Sequence, residues 1–93
     1  MYEDKITIGP MMGLGRAQEE IARRALTAEP KASCSKPEER VTAELDKLTA
    51  YETCCILGAM RNHVGRDLPL TQIYQLSVQS IVSRYQEMAD ATP

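Results

Sequence analysis

Cysteine and histidine, the side chains best suited to holding a metal or to acting as nucleophile and base, gather in one stretch. Thr53-Cys54-Cys55-Ile56-Leu57-Gly58-Ala59-Met60-Arg61-Asn62-His63 contains two of the chain's three cysteines and its only histidine. Zinc needs four ligands about 2.0–2.3 Å from one point. On a helix the adjacent Cys54 and Cys55 diverge by about 100°, and Cys55 and His63, on one face, stand about 12 Å apart. Cys34 lies about 30 Å of helix from Cys54 if the helix between them is unbroken. The spacing argues against an ion held within one chain, and no metal or cofactor is expected; it does not address a site shared between subunits. A nucleophilic thiol needs a base within reach and a lowered pKa. A mid-helix cysteine two turns from His63 has neither. Between residues 54 and 60 the apolar residues cover every face, which predicts an enclosed helix. Cys55, Gly58 and Ala59 are small enough to admit a second helix closely, at a crowded crossing or an oligomer seam.

His63, followed by Val64-Gly65-Arg66, reads as a helix-terminal residue whose charge complements the dipole. Gly9-Pro10-Met11-Met12-Gly13-Leu14-Gly15-Arg16 is glycine-rich at a helix start, where free amides can hold an anion. It lacks the spacing of either common phosphate-binding loop, and no βαβ unit surrounds it. Gly13, Gly15 and Arg16 are the candidate anion or nucleotide residues. Glu44, Asp46 and Glu52 read as a solvated helix face. With one histidine and no Ser/His/Asp grouping, an enzyme is not expected and no catalytic residue is assigned.

The stretch Leu70-Thr71-Gln72-Ile73-Tyr74-Gln75-Leu76-Ser77-Val78-Gln79-Ser80-Ile81-Val82-Ser83-Arg84-Tyr85 resembles the helix-turn-helix phrase of bacterial and phage regulators. That resemblance implies a DNA-binding regulator. The turn glycine is missing and the turn is one residue short, which rotates the second helix by about 100° against its core contacts. Arg84 would face the phosphates alone. A continuous amphipathic helix is the expectation here.

The chain has 93 residues, 43% of them hydrophobic, with no Phe and no Trp. Its core must be built from Leu, Ile, Val, Met, Tyr and Ala, which bury less area per residue at about 25 cal/mol per Å². Small domains often gain stability by oligomerising, and a homo-oligomer is expected. The net charge is −2. Residues 1–40 carry seven basic and seven acidic side chains, 41–66 three of each, and 67–93 one against three. No segment forms a basic tail, which disfavours nucleic acid and anionic membranes. No apolar run approaches the roughly 20 residues of a membrane span, and the start lacks the pattern of a secretory signal. A cytoplasmic protein with free thiols is the expectation.

The elements follow from punctuation and periodicity. An extended arm covers 1–10, within which Lys5-Ile6-Thr7-Ile8 alternates as a β-bridge would. Helix one covers 11–28, with Pro10 at its entry and Leu14, Ala17, Ile21, Ala25 and Ala28 on one stripe. Glu19→Arg23 and Glu20→Arg24 are spaced as i,i+4 pairs. After a linker at 29–34, Ser35-Lys36-Pro37-Glu38 reads as a capping box opening helix two, 35–64. Its stripe is Val41, Leu45, Leu48, Tyr51, Cys55 and Ala59. A turn at 65–67 leads to helix three, 68–90, with Leu70, Tyr74, Val78, Ile81, Tyr85 and Met88 inward. The expectation is a single all-α, three-helix domain: helices two and three form an antiparallel hairpin, and helix one packs across it.

This profile favours a non-enzymatic helical binding protein, a stoichiometric regulator or inhibitor of a macromolecular partner, and a protein partner is expected. Phage-type anti-defence and anti-host proteins offer a class-level analogy. Cys55, Gly58, Ala59, Tyr74, Val78, Ile81 and Tyr85 are expected in the core or oligomer seam. Tyr2, Met11, Met12, Arg16, Arg23 and Arg24 are the expected partner surface, because Tyr and Arg are enriched at binding hot spots and Met adapts to a partner's shape. The alternative from another class is a nucleotide-sequestering protein with its pocket between subunits.

Overall fold

The computed structural model describes residues 7–28 and 36–91. Over them the chain is all-helical: α1 Leu14–Thr27, α2 Pro37–Asp46, α3 Ala50–Val64 and α4 Leu70–Ala91. Among the described residues there is no strand; Lys5 and Ile6 of the alternating piece lie outside them, and Thr7-Ile8 is irregular.

Helix one starts later than its sequence suggests. Residues 9–12 form a turn closed by the Met12 amide donating to the Gly9 carbonyl at 3.2 Å, and Gly13 is the N-cap. Pro10 therefore shapes the turn and not the first helical turn. At the other end the Arg40 guanidinium reaches from α2 to the Ala25 carbonyl, 3.1 Å, and the Ala28 carbonyl, 2.7 Å. Those carbonyls would otherwise lack intrahelical partners.

The expected helix two is two helices. Lys47 and Leu48 donate to carbonyls three residues back, tightening the last turn of α2. Thr49 is then extended and caps α3. Its hydroxyl accepts from the Glu52 amide at 3.1 Å, and the Glu52 carboxylate accepts from the Thr49 amide at 3.0 Å. This reciprocal cap gives the backbone a better solution than continuing the helix. A similar device opens α2 one residue beyond the Ser35–Glu38 pair: Pro37 is the first helical residue and the Lys36 amide donates to Glu39 at 3.3 Å. Ser35 lies outside the described residues. Gly65 ends α3 at φ +130°, and α4 begins at Leu70, after Pro69.

The packing order also differs from a hairpin crossed by a peripheral helix. α1 and α4 share the centre: they pack most extensively on each other and each also touches α2 and α3, whereas α2 and α3 scarcely meet. Ala17, Ala22 and Ala25 let the neighbours of α1 approach closely around Ile21. The core is Ile8, Ala17, Ile21, Ala22, Ala25, Val41, Leu45, Ile56, Val78 and Ile81. At about 25 cal/mol per Å² its burial drives the assembly.

Candidate functional site

The cysteine-rich stretch lies on α3, where only Ile56 and Met60 are buried. Cys54 and Gly58 are exposed and Cys55 is half-buried, so the expectation of an enclosed helix is corrected. Among the described residues none covers Cys54 or Gly58 on the outer side of α3, and small residues lose little by facing water. His63 is exposed in the last turn, where a positive charge suits the helix end. Among the described residues, no three His, Cys, Asp or Glu side chains stand close enough to share a metal ion. Cys34 lies outside them.

The buried polar side chains are consumed by structure. Gln18 of α1 accepts from Ser80 at 2.9 Å and from Arg84 Nε at 3.0 Å through one oxygen, and its amide nitrogen points at the Met60 sulfur, 3.7 Å away. One side chain thus joins α1, α3 and α4. Glu20 is buried and holds both Arg23, 2.7 Å, and Arg24, 2.8 Å. Burial pushes its carboxyl upward, but the hydrogen bonds and charges of the two arginines together outweigh this and hold it below the ordinary value of 4.5. Glu19 does not pair with Arg23 as its spacing suggested; its carboxylate lies 3.9 Å from Arg84.

These contacts redraw the expected partner surface. The Arg24 side chain is 12% exposed and committed to Glu20, so it belongs to the frame. Arg23 is half-exposed but shares the same carboxylate. Met12 packs on the core, whereas Met11 is 96% exposed and Arg16, five residues further on, is exposed as well. Tyr2 lies outside the described residues. At the anion candidate, Gly13 and Gly15 do stand at the helix start, and the Arg84 guanidinium comes within 3.7 Å of where a Gly15 side chain would begin. The sequence reading missed Arg84 there, because it arrives from α4.

The expected seam also divides. Val78 and Ile81 are buried in the chain's own core, and Cys55, Tyr74 and Tyr85 are half-buried against it. Gly58 and Ala59 remain at or near the surface. Between α3 and α4 lies an open apolar cleft of about 380 Å³, lined by Leu57, Leu70, Thr71, Tyr74 and Gln75. Leu70 is 63% exposed at its mouth, and Tyr51, at the start of α3, is 61% exposed. Both were expected inward. Burial, and next the negative charge of Asp46, raise the Tyr74 phenol above its ordinary pKa, so it stays neutral. No residue lining the cleft is charged, which suits it to apolar contact and not to acid–base chemistry.

The helix-turn-helix resemblance falls within α4, which runs unbroken from Leu70 to Ala91. Arg84 there is engaged with Gln18. No helix among the described residues is long and apolar enough to cross a membrane. Compared with protein-family models, curated proteins and solved structures, the chain matches none.

Proposed function

We propose that this chain is a non-enzymatic helical binding protein of the cytoplasm, self-associating, which regulates or inhibits a macromolecular partner by occupying it stoichiometrically. One observation carries the reading. Three large apolar side chains, Met11, Tyr51 and Leu70, stand in solvent, while the buried polar groups all have hydrogen-bond partners among the described residues. Exposed apolar side chains and an uncharged cleft are features of contact surfaces. Met11 and Arg16, at the entry to α1, form the partner face, with Arg23 at its edge. The test is affinity capture from the native host with wild type, Met11→Glu/Arg16→Glu and, as a surface control, Glu87→Lys. A near-stoichiometric protein retained by wild type and control and lost by the double variant supports the reading. Its retention by the double variant, or the absence of any such protein, overturns it.

The approach of Arg84 to Gly15 favours a second reading. Gly13, Gly15, Arg16 and Arg84 would hold the phosphate of a small nucleotide at the α1 N-terminus, where uncapped amides point outward. A thermal-shift series with mono-, di- and cyclic nucleotides tests it, because a ligand bound only to the folded state raises the melting temperature. No shift at millimolar nucleotide removes it.

A further inference from the structure

The α3–α4 cleft has apolar walls and a cationic end. Leu57 lines it from α3, and Arg61, one turn further along the same row, is exposed. One turn is about 6 Å along the helix axis. The Arg61 guanidinium donates to the Arg66 carbonyl at 3.3 Å, in the link that joins the two walls, and Leu70 follows four residues after Arg66. The Arg66 guanidinium turns back to Asn62 Oδ1, also at 3.3 Å. The helix dipole accounts for a cation at Arg61; Arg66, beyond the helix, is a second one. Both arginines are exposed, and neither pairs with a carboxylate among the described residues, Asp67 included. A guanidinium carries several N–H donors, so both keep some for an acceptor from outside. The walls supply no anion, because residues 53–60 and 68–83 contain no Asp or Glu. The negative charge of Asp46 reaches the cleft at Tyr74, on the wall opposite Leu57.

We infer that this cleft is a docking groove for a protein segment that pairs a large apolar side chain with a carboxylate. The apolar group lies between Leu57 and Leu70, and the carboxylate on Arg61 and Arg66. The inference goes beyond the partner face proposed at Met11 and Arg16 and does not depend on it. Charge decides the occupant. A segment without an acid would leave the two guanidinium groups with water alone, and a basic one would meet like charges. Arginine and carboxylate form paired, charge-assisted hydrogen bonds, stronger than neutral ones. Asp46 sets the direction, since it would repel a carboxylate placed beside Tyr74. An apolar residue and an acid match the step from Leu57 to Arg61 when one turn apart in a helix, or two positions apart in an extended segment. Nucleic acid would need a longer row of cations and would lay sugar and phosphate on Leu57, Leu70 and Tyr74. A fatty acid shares the chemistry, but small-molecule sites enclose most of their ligand and this cleft is open. A protein segment keeps its outer side in water in any case.

Selection of random peptides displayed on phage, against the immobilised full chain, tests this. Enriched peptides are expected to combine a large apolar residue with Asp or Glu at one of those spacings. Titrated by fluorescence anisotropy, the strongest should bind Arg61→Glu/Arg66→Glu and Leu70→Glu at least roughly tenfold more weakly than wild type. All three positions are exposed, so the far-ultraviolet spectra of these variants should match wild type. Met11→Glu/Arg16→Glu should bind as wild type does, which separates the groove from the other face. Peptides without an acid, peptides bound equally by the arginine variant, or no enrichment at all overturn the inference. So does binding that Met11→Glu/Arg16→Glu abolishes. Two other occupants are distinguished by the same variants. Sodium laurate bound at the arginines more tightly than any peptide assigns the cleft to an amphiphile. A wild-type dimer that Leu70→Glu dissociates, with no peptide enriched, assigns it to a second copy. Either result overturns the inference.

Discussion

Glu52 offers the sharpest test of how this chain is held together, because one carboxylate serves two segments. It accepts the Thr49 amide at 3.0 Å, closing the α3 cap, and the Ile8 amide at 3.3 Å, pinning the incoming chain. Ile8 itself is fully buried in the core. For Glu52→Ala, the lost cap contributes about 1 kcal/mol. The longer bond to Ile8 adds about 0.5–1 kcal/mol. Alanine's helix propensity returns a few tenths, leaving a loss of about 1.5 kcal/mol. For a domain of this size that lowers the melting temperature by roughly 6–12 °C. Glu52→Gln keeps an acceptor oxygen and should lose less than half as much. The pH dependence has a definite sign. The Thr49 amide chiefly, and the Ile8 amide after it, hold the carboxyl below the ordinary 4.5 despite burial. Its contribution is therefore complete above the unfolded-state value, and the part that depends on the charge is lost as the pH falls through the lower folded-state value. Urea unfolding followed by circular dichroism should show the full difference between wild type and Glu52→Ala at pH 7 and a clearly smaller one in strong acid. Hydrogen exchange at the Ile8 amide should accelerate in the variant. A difference within about 0.5 kcal/mol at pH 7, the range of a neutral surface change, would refute the reasoning. So would one that persists undiminished in acid.

Two further outcomes can be measured by the same unfolding assay. Gln18→Ala removes the acceptor shared by Ser80 and Arg84 and leaves a void among three helices, at a cost of about 2–3 kcal/mol. Gln18→Leu refills the volume and should cost clearly less; equal losses would show that cavity formation adds nothing. Gly65→Ala places a side chain at φ +130° and should cost about 1–3 kcal/mol although the space around it is open. A neutral result would mean that the α3–α4 link relaxes freely.

The helical class and much of the inward face of α1 were legible, because Ala17, Ile21 and Ala25 recur at helical spacing and all three are buried. The break at 47–49 was not legible, although its signal was present. Thr49-Ala50-Tyr51-Glu52 has the same capping spacing as Ser35–Glu38, but it sits within an apolar stripe that continues through it. Hydrophobic periodicity measures what would prefer burial; capping decides whether the backbone continues, and here the cap won. Leu70 and Tyr51 fit inward stripes but lie at helix starts, beyond the reach of their neighbours. Gln18 and Glu20 read as polar, yet they are buried. The partners of Gln18 come from residues more than forty positions away, and Glu20 is covered because α1 runs through the middle of the molecule. The cleft depends on how α3 leans on α4, which no single helix encodes.

The placement of α1 against α4 has a consequence for biosynthesis. α1 leaves the ribosome well before its main packing partner α4 has been made, as the 62- and 66-residue separations of Gln18 from Ser80 and Arg84 record. At roughly 5–20 residues per second, Ile21 waits about 3–12 s for Ile81. During that interval its apolar face is open to chaperones, proteases and other nascent chains. A message cut anywhere before α4 would yield a chain that lacks its principal packing surface, not a smaller working version.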